Sequence, residues 1–200
     1  MLENSNPGPS NPAENSPLPQ LRRELRSWTR DLAVALALAL VIIIFLYQPV
    51  KVEGTSMAPL LSDQERIFIN KFVYRFEPIE RGDVVVFWYP LDRSKSFIKR
   101  VVGLPGETVE LRAGRLYVGG KELIEPYVPS NYLDGTNYPP VIVPPDHFFV
   151  MGDHRDSSND SRVFGPVKRE FIYGKAVFAY WPVDHFGSLT SSSTVSASSR

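Results

Sequence analysis

The chain has 200 residues, and its 22 Lys and Arg balance its 22 Asp and Glu, so the formal net charge is zero. This balance excludes a protein that mainly binds nucleic acid, which would carry a basic excess, and a hydrophobic fraction of 43% excludes a wholly disordered chain. There is no cysteine, and the three histidines, His147, His154 and His185, form no helical pair. The sequence therefore predicts no metal site and no cofactor, and leaves hydroxyls, carboxylates and amines for any catalysis.

The first thirty residues divide into a polar tail and an arginine-rich segment. Residues 1–20 contain five Pro, four Asn and three Ser. Such a composition cannot bury enough apolar surface to offset the entropy of ordering, which predicts a disordered tail. The arginines that follow are Arg22, Arg23, Arg26 and Arg30.

Residues 31–47 are predicted to form a transmembrane anchor. Leu32 to Tyr47 are sixteen residues without a charge, close to the lower length limit for a helix that spans a bilayer. Because arginines before an apolar segment stay in the cytoplasm, residues 1–30 are expected there and the rest of the chain on the far side. A cleaved secretory signal and a buried core helix are the alternatives. The lack of a small-residue cleavage site and an apolar character all round the helix favour the anchor.

Beyond the anchor, the sequence predicts one β-rich domain over residues 48–186 and a disordered Ser-rich tail over residues 187–200. Apolar and polar residues alternate with the period of a strand in seven segments. These segments are 66–72, 83–89, 96–102, 107–112, 114–118, 147–152 and 174–181.

The middle of this domain has the composition of hairpins and loops. Turn signals at 113–114 and 119–120 predict short hairpins, and six prolines between residues 119 and 146 predict an irregular excursion. Together they are expected to form a cap around residues 107–146. The predicted fold class is mainly β: a partly closed, barrel-like domain with a small cap, preceded by one transmembrane helix.

Two segments carry residues that could perform catalysis. Ser56 follows Gly54-Thr55 and precedes a proline, so it could lie in an ordinary turn or be an exposed nucleophile whose own N–H helps to bind an oxyanion. In 96–102, strand alternation places Lys99 on one face and Arg100 on the other, so one basic residue is forced towards an apolar face. Lys99 could extend its amine to solvent, or burial could lower its pKa and make it a base.

Two further segments have simpler interpretations. Residues 81–87 resemble a turn that leads into a buried strand, which is a structural role. Residues 151–165 follow an apolar strand with ten polar residues, which could be a solvated loop or a hydrogen-bonded network that supports a site.

Together these segments resemble the type I signal peptidases, also called leader peptidases. The residues that carry the resemblance occur in the family's order behind an anchor, over about residues 30–182. They are GTSMAPLL (54–61), RGDVVVF (81–87), KRVVGLPGE (99–107) and GDHRDSSNDSR (152–162).

The resemblance implies a role for each matched residue. Ser56 would be the nucleophile, Lys99 its general base, and Ser158 the serine that hydrogen-bonds the lysine amine. Asp160 and Arg162 would form an ion pair near the site. Gly54 stands where some members have a hydroxyl that assists the oxyanion hole, which leaves the N–H of Ser56 as the expected donor. His154 stands where Asn is common in the family and has no role that the resemblance supplies.

The resemblance also implies the reaction and the substrate. The protein would be a membrane-anchored serine endopeptidase that removes signal peptides from exported preproteins and reads small residues at the first and third positions before the cut. Its partners would be signal peptides and the lipid bilayer, without nucleic acid or metal. The cell membrane is the expected location, with a thylakoid membrane as the alternative.

Two other functions are alternatives to this one. A self-cleaving repressor with a Ser/Lys pair would carry a DNA-binding helical domain, and residues 1–47 show no such pattern. A non-catalytic anchored β-domain would explain the fold but not the joint presence of Ser56, Lys99 and Ser158. The aromatic residues of 66–76 and 86–89 are expected either to pack in the core or to form a patch at the membrane interface.

Overall fold

The structure is a computed structural model that describes residues 18–189, and the tails predicted within 1–17 and 190–200 lie outside these residues. The described chain begins with α1, an α-helix of 29 residues over Leu18–Leu46. Residues Arg22–Leu46 of this helix are long and apolar enough to cross a membrane. The side chains of the apolar segment are exposed, Leu32 by 61% and Phe45 by 70%.

The helix is longer than the predicted anchor at its N-terminal end. It begins at Leu18 instead of residue 31, because Leu, Gln, Arg and Glu are good helix formers and Pro19 is tolerated in the first turn. At 1.5 Å per residue it extends over about 43 Å, more than the roughly 30 Å of a bilayer core. The arginines therefore occupy a helical extension of the apolar segment.

The rest of the described chain contains twelve strands and one short α-helix. The strands are β1 (Tyr47–Lys51), β2 (Arg66–Asn70), β3 (Val84–Tyr89), β4 (Asp92–Gly103), β5 (Thr108–Arg112), β6 (Arg115–Val118), β7 (Lys121–Glu122), β8 (Tyr138–Ile142), β9 (His147–Met151), β10 (Val167–Lys168), β11 (Ile172–Trp181) and β12 (Gly187–Ser188); the helix is α2 (Ser161–Phe164). All seven predicted strands are present, most with ends shifted by one to four residues.

The strands form two antiparallel sheets. The large sheet has the order β1-β2-β11-β3-β4-β9-β10, with β12 added beside β11. The small sheet has the order β7-β6-β5-β8. Among the described residues, β1 and β10 do not pair with each other, so the large sheet stays open, and the predicted partly closed β domain is confirmed.

The small sheet corresponds to the predicted cap. The chain leaves the large sheet at the end of β4, forms β5 to β8, and returns at β9, which is hydrogen-bonded to β4. Its tight turns use positive φ at Ala113 (47°), Gly114 (77°), Gly119 (58°) and Gly120 (78°). Two consecutive residues with positive φ are what a two-residue hairpin turn requires.

Three groups of buried side chains form the core. Strands of the large sheet are buried on both faces, so each such strand contributes side chains to two of these groups. Val84 of β3 contributes to the first group and Val85 to the second. Phe148 of β9 contributes to the second group and Phe149 to the third, which also contains the interior of the small sheet. The alternation of each strand thus links neighbouring groups of the core.

Two boundaries differ from the sequence prediction. The anchor was expected to include Tyr47, which instead begins β1 and pairs with Asn70. The folded domain was expected to end at residue 186, but β12 pairs with Phe178 and Ala179, and Leu189 is only 7% exposed. Burial of Leu189 in the first core group explains this extension, since one apolar residue among serines can still gain from burial.

Candidate active site

The turn that carries Ser56 lies between β1 and β2 and is anchored in the core. Met57 and Leu61, which follow Ser56, are 2% and 0% exposed. On the other side, Gly54 donates its N–H to Asp63 Oδ1 at 2.7 Å, and this hydrogen bond lowers the pKa of Asp63. Ser56 itself is half-buried. The turn therefore presents one hydroxyl from a segment that is fixed at both ends.

Lys99 directs its amine at this hydroxyl. Its Nζ lies 2.7 Å from Ser56 Oγ and also donates to the carbonyl of Ile98 at 2.9 Å. Lys99 lies on β4, opposite Val85 of β3, and is only 4% exposed. Of the two sequence alternatives, an amine extended to solvent or a buried amine, the structure has the buried one.

Burial makes this amine easier to deprotonate. It lowers the pKa of Lys99 from 10.5 to about 8, although the charges of Asp160 and Asp153 act in the opposite direction. No carboxylate forms an ion pair with Lys99 among the described residues. With a pKa of about 8, roughly a tenth of the molecules carry a neutral Lys99 at pH 7. A neutral amine beside a hydroxyl can accept its proton.

Ser158 does not form the hydrogen bond to Lys99 that the resemblance implied. Its Oγ is buried and has no hydrogen-bond partner within residues 18–189. It lies against Gly152, where an added Cβ would be 2.3 Å from Ser158 Oγ and 2.4 Å from the carbonyl oxygen of Ser56. The loop and the Ser56 turn thus approach each other at a position that only glycine can occupy.

Asp160 and Arg162 form the ion pair that the resemblance implied. Asp160 is fully buried and accepts from Arg162 Nε at 2.9 Å and Nη2 at 2.8 Å. It also accepts from the backbone N–H of Gly152 at 3.1 Å and caps α2. Arg162 makes a second ion pair with Asp134. Within residues 18–189 neither side chain hydrogen-bonds to Ser56, so their position indicates a supporting role for the loop.

The oxyanion region is only partly available for a ligand. Gly54, with φ of 91°, has its N–H bound to Asp63, so this group is occupied. The N–H of Ser56 donates to no acceptor among the described residues. Of the two positions named from the sequence, Ser56 is therefore the one whose donor is available.

The sequence did not reveal that Arg100, the neighbour of Lys99, is also buried. Arg100 is 2% exposed, and it binds Asp153 with Nε at 2.9 Å and Nη2 at 2.7 Å. It also donates to the carbonyl of Gly82 at 2.9 Å and lies 4.0 Å from the ring of Tyr127. Strand alternation could indicate that Arg100 faces away from Lys99, but not that a carboxylate of the loop meets it there.

A second buried arginine joins the polar loop to the small-sheet region. Arg155 is 2% exposed and donates to Glu125 and to the carbonyl of Gly152 at 2.9 Å. Arg155 and the pair of Arg162 and Asp134 together hold residues 151–165 in a network of ion pairs and hydrogen bonds. Of the two interpretations of this segment, a solvated loop or a hydrogen-bonded network, the structure has the network. The density of Asp and Arg in this segment indicated a network, but no pattern around Glu125 in the sequence indicated that it would pair with Arg155.

A cleft of 460 Å³ lies in front of the Ser56 hydroxyl. One wall consists of residues 51–57, which continue from β1 through the Ser56 turn, and the other of residues 96–99 in β4. Ser157 and Asn159 of the polar loop complete the lining. The cleft is open enough to admit an extended chain beside the strands.

Comparison with known proteins identifies the class. The family described as "Signal peptidase, peptidase S26" matches residues 25–181. The chain is 35% identical to signal peptidase IB of Staphylococcus aureus, over 83% of this chain and 94% of that protein. It is 38% identical to a probable signal peptidase I-1 of Synechocystis sp., over 92% of this chain and 96% of that protein.

A solved structure, signal peptidase I of Enterococcus faecalis V583, matches at 34% identity and a TM-score of 0.44, over 50% of this chain and 97% of that chain. The family match identifies a serine peptidase, and the structure adds an N-terminal apolar helix. The chain belongs to the signal peptidase family, peptidase S26.

Proposed function

We propose that Ser56 is the nucleophile and Lys99 the general base of a membrane-anchored endopeptidase that removes signal peptides from exported preproteins. The observation that supports this assignment best is the distance of 2.7 Å between Lys99 Nζ and Ser56 Oγ. A serine hydroxyl is a weak nucleophile until a base takes its proton, and a buried neutral lysine can replace histidine in that task.

The proposed reaction has two stages. Lys99 takes the proton of Ser56 while Oγ attacks the scissile carbonyl, and then gives this proton to the amine that leaves, so an acyl-enzyme remains. In the second stage Lys99 takes a proton from water, the hydroxide attacks the ester, and the proton returns to Ser56. The oxyanion of each tetrahedral intermediate would accept from the N–H of Ser56, which donates to no acceptor among the described residues.

The cleft suits an extended substrate. Two strand edges beside the cleft are open in the described chain. β1 pairs only with β2, so its other edge carries no strand, and β4 at residues 96–98 pairs only with β3, so its other edge is also open. A peptide could hydrogen-bond to such open edges and bring its carbonyl to Ser56. Asp160 and Arg162 would hold the loop that forms part of the cleft, and Ser158 would fill the space beside Gly152.

The orientation in the membrane follows from the charges around α1. Arg22, Arg23, Arg26 and Arg30 precede its apolar segment, which supports a cytoplasmic N-terminus and a peptidase domain on the exoplasmic side. The cell membrane is the proposed location, with a thylakoid membrane as the alternative. Phe76, Trp88 and Trp181 are 86%, 41% and 54% exposed, which supports contact of the domain with lipid.

Cleavage of one purified preprotein by the full-length protein in detergent tests the chemistry. Ser56→Ala removes the nucleophile and Lys99→Arg replaces the base by a side chain that stays protonated, so both variants are expected to be inactive. Ser94→Ala and Lys95→Arg, on the same strand β4 and exposed, serve as matched controls with full activity. Cleavage by either of the first two variants would refute the Ser/Lys mechanism.

The orientation can be tested with a single cysteine, because the natural chain has none. Cysteine in place of Leu91, which is 73% exposed, should react with an impermeant maleimide from the exoplasmic side of intact cells. Reaction only in inverted vesicles would reverse the proposed topology.

Lipid contact can be tested with Phe76→Glu. Loss of activity in liposomes but not in detergent would support this contact, and equal activity in both would oppose it.

A further inference from the structure

His154, to which the family resemblance assigns no role, contacts the backbone of the nucleophile's turn in two places. Its backbone N–H donates to the carbonyl of Ser56 at 3.1 Å. Its ring Nδ1 lies 3.3 Å from the carbonyl oxygen of Thr55. Because a carbonyl oxygen only accepts, Nδ1 carries the hydrogen in this contact. One residue of the polar loop therefore holds two consecutive carbonyls of the turn.

The imidazole ring is itself fixed by its surroundings. Tyr132 stacks on it with ring centroids 4.0 Å apart and an angle of 26°. Nε2 lies 2.9 Å from Asp156 Oδ1, and the side chain is 20% exposed. A ring with a stacked neighbour and a partner for each nitrogen has one preferred orientation, so its contact with Thr55 is preorganised.

The position of Ser56 Oγ depends on these two peptide groups. The carbonyl of Thr55 belongs to the peptide bond that supplies the N–H of Ser56, the available oxyanion donor. The carbonyl of Ser56 lies directly against Gly152. Rotation of the Thr55–Ser56 peptide group would turn the N–H of Ser56 away from the substrate, and a shift of the Ser56–Met57 group would displace the Cα that carries the hydroxyl.

We propose that His154 is a positioning residue, which holds the Thr55–Ser56 backbone so that Oγ and the N–H of Ser56 point at the substrate carbonyl together. Small displacements of a nucleophile lower the rate of reaction without weakening substrate binding. This inference rests on the proposed function of Ser56, and it concerns the side chain of His154, since any residue at this position keeps the backbone contact.

The test compares His154→Ala with His154→Asn in the full-length protein. Alanine removes the side-chain hydrogen bond, whereas asparagine keeps an amide N–H close to the place of Nδ1. Loss of one hydrogen bond predicts a fall in kcat of about three- to tenfold for alanine with KM unchanged, and a fall of less than about twofold for asparagine. His147→Ala is the matched control, because the ring of His147 contacts the carbonyl of Pro145 in its own turn and lines no part of the cleft.

The pH profile separates positioning of Ser56 from an effect on Lys99. In His154→Ala the plateau of kcat/KM should fall while the midpoint of the profile stays in place, since Lys99 keeps its environment. Equal kcat for alanine and wild type, equal losses for alanine and asparagine, a rise in KM alone, or a moved midpoint would each overturn the proposal. If Ser56→Ala still cleaves the preprotein, the proposed function itself fails; if only His154→Ala is unaffected, only this inference fails.

Discussion

Two neighbouring basic residues on β4 show what burial does to a cation on each face of the same strand. Lys99 and Arg100 are 4% and 2% exposed. Arg100 is held by two hydrogen bonds from its guanidinium to Asp153, and although burial acts to lower its pKa, this carboxylate raises it. Within residues 18–189, the hydrogen-bond partners of Lys99 are the hydroxyl of Ser56 and the carbonyl of Ile98, and burial lowers its pKa to about 8.

The difference lies in the partner and not in the degree of burial. A carboxylate in direct contact keeps the buried cation charged and makes it part of the structure. A neutral partner leaves the charged form without compensation, so the group can lose its proton near neutral pH. Arg100 on one face of β4 therefore supports the fold, whereas Lys99 on the other face is the proposed base.

The largest expected effect comes from Lys99→Met. This variant should lose at least about a thousandfold in kcat/KM, because no other group can take the proton of Ser56. Its free energy of unfolding at pH 7 should be equal to or higher than that of the wild type, since an apolar side chain replaces a poorly compensated amine. Activity assays and urea unfolding measure the two quantities. A variant that unfolds more easily would contradict the contrast with Arg100.

The opposite pattern is expected for Arg100→Met. Removal of the guanidinium leaves Asp153 buried without its partner, which should lower the free energy of unfolding by about 3–5 kcal/mol. The double variant with Asp153→Leu should recover part of this loss, because neither charge then remains buried. Urea unfolding of both variants tests the pair. If Arg100→Met is as stable as the wild type, the pair does not support the fold.

The pH dependence of stability and activity gives the next largest effect. Since the pKa of Lys99 is about 8 in the folded protein and 10.5 as the ordinary value, the unfolded chain binds more protons between these pH values, and stability rises with pH there. The gain over Lys99→Met should approach about 3 kcal/mol between pH 8 and pH 10.5. The kcat/KM of the wild type should rise through pH 8 and then level off. A flat activity profile across that range would exclude Lys99 as the base.

The smallest effect concerns Gly152, which lies next to Asp153 and against the turn of Ser56. A Cβ there would lie 2.4 Å from the carbonyl oxygen of Ser56, so Gly152→Ala should cost about 1–3 kcal/mol of stability and lower kcat as well. Gly187→Ala is the control, because no atom lies within 4 Å of its added Cβ. Thermal unfolding and preprotein cleavage compare the two variants. Equal behaviour would mean that the loop can move away from the turn without consequence.

Strands with clean alternation could be predicted from the sequence, and those with unusual composition could not. β8 contains Pro139 and Pro140, which lie on an edge strand of the small sheet and at an irregularity in its pairing with β5, where a missing N–H is tolerated. β7, β10 and β12 have two residues each and exist only because a longer strand lies beside them. Such strands depend on tertiary pairing, which local patterns do not encode.

The site was predictable to the same limited extent. The motifs indicated Ser56 and Lys99, and alternation indicated that one of two basic residues is buried, but the contact between the two residues joins positions far apart in the chain. The partners of Arg155 and Arg162 are Glu125 and Asp134, which lie in a proline-rich region without a signal. The hydrogen bond of Ser158 to Lys99 that the resemblance implies is not formed among residues 18–189, where this hydroxyl lies beside Gly152.

The segment between β4 and β9 can vary in evolution independently of the two strands that flank it. Gly103 at the end of β4 pairs with Phe149 of β9, so the segment that forms the small sheet departs from and rejoins two adjacent strands. A segment inserted in this way behaves as a cassette: its length can vary at little cost in loop-closure entropy. Exchange of the cassette would leave β4 and Lys99 in place, provided that its replacement covers Phe149 with apolar side chains and supplies carboxylates to Arg155 and Arg162.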